Sequence, residues 1–158
     1  MDIDYLRMKD HAVVTRKIQP VGLMFSDFYF YLVAYIDGID KTAHFDNPDD
    51  NYPTIYRIDR IKAIRQTNSH FSIPYRDRFE EGEFRKRVQF MYGGKLQTVK
   101  FTYKGPSIEA VLDRLPSAEA KENPGGGWTV TAEVFGTGIE MWLRSQGPWI
   151  SDISIQSH

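Results

Sequence analysis

From Ile3 to about Arg65 this 158-residue chain reads as short strands punctuated by turn residues, and that rhythm limits the fold more than any other feature. After a first strand beginning at Ile3, the expected strands cover Val13-Val14, Ile18, Val21 to Phe25, Phe28 to Ile36, Lys41 to Phe45 and Thr54 to Ile64. Asp37-Gly38, between two apolar runs, predicts a tight hairpin, and Asp46-Asn47-Pro48-Asp49-Asp50-Asn51-Tyr52-Pro53 cannot hold a regular element. Five or six short strands in about sixty-five residues predict a small β-barrel.

Two of these segments carry unusual side chains. Phe30-Tyr31-Leu32-Val33-Ala34-Tyr35 is densely apolar and aromatic, whereas Tyr56-Arg57-Ile58-Asp59-Arg60-Ile61 alternates apolar residues with charges. Side chains alternate along a strand, so Arg57 and Asp59 share one face and Arg60 takes the other. Two readings stay open. Either Asp59 pairs with a neighbouring arginine and the charges only cover apolar surface, or Arg57, aided by Arg16 from another strand, presents a planar fork of donors to phosphate. Tyr31 and Tyr5 share a similar ambiguity between core residue and stacking platform.

The middle of the chain differs. Phe79 to Tyr92 spaces its apolar residues at intervals of three, four and five with charges between, which predicts a bridging helix stopped by Gly93-Gly94. The cluster Arg85-Lys86-Arg87 is interleaved with Glu80, Glu81 and Glu83, so it predicts a solvated helix face. Beyond Lys95, Leu96 to Tyr103 alternates as a strand, and Ser107 is placed to cap a helix carrying Ile108, Val111, Leu112 and Leu115, closed by Pro116. Ala118 to Glu122 is a strand leading into the hairpin tip Pro124-Gly125-Gly126-Gly127, which lacks the lysine and following helix of a phosphate loop. Trp128 to Phe135 is the returning strand. Thr137-Gly138-Ile139-Glu140 has capping-box spacing and opens a helix with Ile139, Trp142 and Leu143 on its apolar stripe; Gly147-Pro148 end it, and Trp149 to Ile155 is a last strand.

Strand, helix, strand, strand, helix, strand is the split βαβ, ferredoxin-like order. The expected class is therefore α+β, mainly β, with a barrel over 1–78, a linker helix over 79–94 and a ferredoxin-like module over 95–158.

Composition removes several function classes. Twenty Lys and Arg against twenty-one Asp and Glu leave a formal charge of −1, so any affinity for nucleic acid must come from local clustering of basic residues. The absence of cysteine excludes disulfides, Cys-ligated zinc and a thiol nucleophile, and fits a reducing cytosol. His11, His44, His70 and His158 show no ligand spacing, and the carboxylates near Asp46 lack the order of a calcium loop, so neither metal nor cofactor is expected. No run approaches the length of a membrane span and no signal-peptide pattern opens the chain, which points to the cytoplasm. No nucleophile, base and acid grouping emerges, so an enzyme is not expected.

Tyr5, the Arg-x-x-x-Pro from Arg16 to Pro20, the triplet Phe30-Tyr31-Leu32 and the run Arg57-Ile58-Asp59-Arg60-Ile61 resemble, in order and spacing, the WYL domain of bacterial transcription regulators. Gly136 to Pro148 resembles the C-terminal extension that accompanies it. One position departs: Phe30 stands where the family has tryptophan, which keeps an aromatic body and loses the indole donor.

The resemblance implies an Sm-like or SH3-like barrel that senses a nucleic-acid-derived or phosphorylated ligand, a nucleotide or single-stranded nucleic acid. The residues placed for this are Tyr5, Arg16, Tyr31, Arg57 and Arg60, together with His44, which precedes the acidic loop and otherwise reads as structural. It also implies an upstream helix-turn-helix domain that binds DNA, under allosteric control, in a homodimer. The abrupt start inside a strand is then expected to be a boundary cut in a longer protein. The alternative is a dimerisation or interaction module with no ligand.

Overall fold

In the computed structural model, which describes residues 1–45, 51–75 and 78–157 apart from the His44 side chain, the chain divides into two units, Met1–Phe79 and Glu80–His158. The first unit is a five-stranded antiparallel sheet of β1 (Asp2–Leu6), β2 (Val13–Ser26), β3 (Tyr29–Ile36), β4 (Thr54–Arg57) and β5 (Ile61–Arg65), in the spatial order β4-β3-β2-β1-β5. The last strand thus returns beside the first. Pro20 has no N–H to give to the ladder, and the β2–β3 register shifts between Pro20 and Gly22. A Cβ on Gly22 would lie 3.0 Å from the Phe79 ring, so the bare backbone there lets Phe79 close over this face of the strand.

Alternation along the strands sorts the side chains. Ile3, Ile18, Leu32, Ala34 and Tyr56 form the core of the sheet's inner face, with Tyr5, Ile36 and Ile61 packed against it. Cross-strand partners share a face, so Arg16, opposite Ile3, points to the inner side, while Arg57, opposite Tyr31, points to the outer side.

Several expected elements differ. Lys41 to Phe45 is not a strand: Lys41–His44 forms a short helix, α1, because the Asp40 carboxylate accepts from the Thr42 N–H at 3.0 Å and caps it. Asp37-Gly38 is consequently not a hairpin but the exit from β3, turned by Gly38 at φ 68°. The actual two-residue hairpin is Asp27-Phe28 between β2 and β3, both left-handed at φ 46° and 73°, with no glycine to announce it. The single strand expected over Thr54 to Ile64 is broken by a 3-10 turn at Ile58–Arg60. The acidic part of the loop, 46–50, lies outside the described residues.

The second unit contains α2 (Glu81–Arg87), β6 (Leu96–Tyr103), α3 (Ile108–Arg114), β7 (Glu119–Glu122), β8 (Trp128–Phe135), α4 (Gly138–Ser145) and β9 (Ile150–Ser157). The sheet is antiparallel in the order β7-β8-β6-β9, and the expected strand and helix sequence is present from β6 to β9. Val99, Phe101 and Tyr103 with Val130, Ala132 and Val134 line one sheet face, and Val111 from α3, Leu115 just after it, and Ile139, Trp142 and Leu143 from α4 cover it. Ser107 caps α3, its hydroxyl accepting from the Ala110 N–H at 3.3 Å.

Two helix ends depart from expectation. Thr137 precedes α4 in a helical conformation and makes no side-chain cap bond, so the capping box does not form. The helix expected over Phe79 to Tyr92 spans only Glu81–Arg87, and Val88 leaves it to bridge Phe135 of β8. That helix belongs to the second unit rather than to a free linker: Phe84 packs on Phe135 with ring centroids 5.1 Å apart, and Arg87 bonds Glu133. Its basic residues are largely paired along the helix, Lys86 and Arg87 both bonding Glu83. Among the described residues no helix is long and apolar enough to cross a membrane.

Candidate functional site

The inner face of the first sheet does not end in apolar core. Beyond Ile3 and Leu32 it continues into Tyr5, Arg16 and Tyr56, which with Arg7, Lys9, Val14, Ile36, Ala43, Thr54 and Ile55 surround a pocket of about 450 Å³. That volume falls within the roughly 300–1,000 Å³ typical of small-molecule sites. Tyr5 and Tyr56 meet edge to face, ring centroids 5.0 Å apart at 80°, the geometry in which one ring's positive edge lies on the other's negative face.

The cations around this pocket are not all neutralised. Arg7 is ion-paired with Asp10. Arg16 has no carboxylate partner among the described residues, and its guanidinium donates only to the Thr15 carbonyl at 3.3 Å. A guanidinium that keeps most of its five donors unused, beside two phenol rings, is suited to an anion carried on a flat body. Tyr56 is deeply buried, and that burial pushes its phenol up to about 12 despite the nearby Arg16 charge. The Thr54 side chain beside the hydroxyl acts in the same direction as Arg16, and the hydroxyl oxygen itself is enclosed.

The outer face is arranged differently. Arg57 donates to Asp59 through both Nε (3.0 Å) and Nη2 (2.6 Å), and its guanidinium carbon sits 3.5 Å from the centre of the Tyr29 ring. The bond to Asp59 raises the arginine above its ordinary value and lowers the aspartate below its own. Tyr31 lies on the same face, and burial raises its phenol against the opposing field of Arg57. Arg60 follows in the 3-10 turn and lends its charge to both Asp59 and Tyr31. Phe30, at the position where the resemblance places tryptophan, is 61% exposed and packs on Phe25 at 5.0 Å.

The six residues singled out from sequence therefore fall into separate places. Tyr5 and Arg16 come together in the pocket. Tyr31, Arg57 and Arg60 gather on the opposite side of the sheet, and Arg16 does not join Arg57 there because each sits at a strand position of opposite parity. One bond links the two sides: the Arg57 backbone N–H donates to the Tyr5 hydroxyl at 3.4 Å. His44 is the last residue of α1, and its side chain lies outside the described residues. Sequence reasoning missed Tyr56, Arg7, Lys9 and Thr54; of these only Tyr56 carried a signal, since alternation puts it on the face opposite Arg57.

Residues 1–66 match the WYL domain family. No curated protein matches the chain. Among solved structures, the chain is similar to proteasome accessory factor B/C (PafBC) of Arthrobacter aurescens, with 16% identity and a TM-score of 0.34 over 94% of this chain and 21% of that one. The chain thus spans about a fifth of the length of that protein.

Proposed function

We propose that this chain is the ligand-sensing part of a bacterial transcriptional regulator, and that the pocket holding Tyr5 and Arg16 binds a nucleic-acid-derived or otherwise phosphorylated ligand. The observation that carries this reading is Arg16 itself: a guanidinium with no carboxylate partner among the described residues, at a pocket walled by two edge-to-face tyrosines, inside the region that matches the WYL domain. Unpaired charge facing a concave, partly apolar site is costly to keep without a use. The first sheet, with its fifth strand returning beside its first, is read as an Sm-like barrel and the second as a ferredoxin-like extension.

In this reading the protein is cytoplasmic, homodimeric and not an enzyme. DNA is contacted by a helix-turn-helix domain in another part of a longer protein, and the ligand acts by binding one of its arrangements more tightly than the other. Tyr31, Arg57 and Arg60 then serve on the far side of the sheet, where the bond from Arg57 to Tyr5 ties the pocket to β4.

Fluorescence anisotropy with labelled nucleotides and short single-stranded DNA and RNA, at low and moderate salt, tests the proposal. Binding at low salt that weakens as salt rises and disappears in Arg16→Ala is the expected result. No binding to any probe, or binding that ignores Arg16→Ala, would instead favour a dimerisation module in which the arginines only hold structure, as the pairing of Arg57 with Asp59 already does on the outer face.

A further inference from the structure

The two edges of the second sheet are unlike. β7 is four residues long and carries Glu119, Lys121 and Glu122, the short and charged form in which edge strands resist pairing with other chains. β9, at the opposite edge, runs eight residues with no lysine, arginine or proline. Its one charge is Asp152, a left-handed residue at φ 52° whose carboxylate accepts from the Ser151 hydroxyl at 2.9 Å. The edges of the first sheet are blunted too, β4 by its four-residue length and β5 by Lys62 and Arg65. Among the described residues β9 pairs only with β6, so its far side presents backbone donors and acceptors that no strand takes up.

The side chains of β9 carry the apolar core beyond its cover. Ile155 stands opposite the fully buried Val99, and Ile153 shares its face, yet the two isoleucines are 36% and 48% exposed. A further strand laid along β9 would cover both.

The order of the residues selects which strand that is. Ser151-Asp152-Ile153-Ser154-Ile155-Gln156-Ser157 reads nearly the same in both directions about Ser154. Antiparallel pairing with a second copy about that residue sets Ile153 against Ile155 twice and Ser154 against itself, with all four isoleucines on one face. It also brings the Gln156 amide, a donor, beside the Asp152 carboxylate, an acceptor. Centred on Ile155 instead, the same pairing would leave Ile153 facing Ser157.

We propose that β9 is a self-pairing edge, through which two copies of this chain join their second-unit sheets antiparallel about Ser154. This rests on the homodimeric part of the reading above and names the surface it uses; the ligand pocket plays no part in it. An interface built on one strand pair is small, so the dimer forms and dissociates with concentration and is not obligate.

Sedimentation of the whole chain across a dilution series should show a monomer–dimer equilibrium. Ile153→Lys, at an exposed position, should weaken self-association by about tenfold or more while the melting temperature stays near the wild-type value. Because the chain has no cysteine, Ser154→Cys provides a second test that leaves both isoleucines in place. It sets two thiols directly opposite each other, at a Cα separation of about 4.5–5.5 Å that a disulfide spans, and mild oxidation should convert it to a covalent dimer. Lys121→Cys, on the charged β7 edge, should stay monomeric under the same oxidation. A dimer insensitive to Ile153→Lys, or equal crosslinking of the two cysteine variants, would overturn the proposal and leave the homodimer to another surface. A wild-type chain that is monomeric at every concentration sinks both the surface and the homodimer, and nucleotide binding through Arg16 is read independently of either.

Discussion

In the second unit the inward sheet face, Val99, Phe101, Tyr103, Val130, Ala132 and Val134, is covered by α3 and α4 with Val111, Leu115, Ile139, Trp142 and Leu143. In the first unit the corresponding face runs from Ile3 and Leu32 into Tyr5, Arg16 and Tyr56 and ends at an open pocket, beside which the only described helix is the four-residue α1. A sheet face covered by two amphipathic helices can be apolar throughout. A face that curls mostly on itself needs side chains tolerant of water at its mouth, and tyrosine and arginine, with apolar bodies and polar ends, meet that need. A continuous apolar core is thus built where the covering is complete, and polar side chains gather where it is not.

The largest expected effect tests the covered side. Phe101→Ala should destabilise the second unit by about 3–5 kcal/mol, measured by denaturant unfolding. If nucleotide binding by the first unit survives in that variant, the division into two units is sharpened; if both are lost together, it breaks. Gly138→Ala comes next, and its sign is diagnostic. Alanine normally stabilises a helix by about 1 kcal/mol over glycine, but a Cβ here would stand 2.0 Å from the Gln89 carbonyl oxygen. Displacing that backbone should cost roughly 1–3 kcal/mol instead, seen as a lower melting temperature.

Arg16→Ala should abolish anion binding, whereas Arg57→Ala, whose partner is Asp59 on the outer face, should leave it intact. The reverse outcome in titration would move the site across the sheet. Tyr5→Phe removes the acceptor of the Arg57 N–H and, at a separation of 3.4 Å, should cost only about 0.5 kcal/mol by the same denaturant assay.

The smallest effect lies on the exposed α2. Hydrogen bonds from Lys86 and then Arg87 hold the Glu83 carboxyl at about 2, below its ordinary value of 4.5. Because the folded value is depressed, any stabilisation is fully present above the ordinary value and is lost as pH falls toward 2. Carboxyl titration by NMR should show this depression, and Lys86→Ala should move the value upward.

Much of the second unit is legible in the sequence because its signals are local. Alternation marks Leu96 to Tyr103 and Trp128 to Phe135, and Ser107 sits one residue before an apolar periodic run, where a hydroxyl caps free amides. Elements of the first unit are misread where local cues compete. Thr42 and Ala43 fit a strand or a helix, and only the Asp40 carboxylate reaching back to Thr42 decides for a helix. Asp27 and Phe28 take left-handed conformations that no glycine announces, since the register of the two long strands around them imposes the turn.

At the candidate site, period two alone sorts the side chains by strand face and separates Tyr56 from Arg57 whatever the fold. Which strands bring their faces together is set by pairing between distant segments. Pairing Ile3 with Arg16 and Leu32 with Tyr56 sets Arg16, Tyr5 and Tyr56 around one pocket and turns Arg57 outward to Asp59 and Tyr29. Alternation is a property of a few consecutive residues, whereas register and sheet curvature depend on pairings tens of residues apart, which no local pattern encodes.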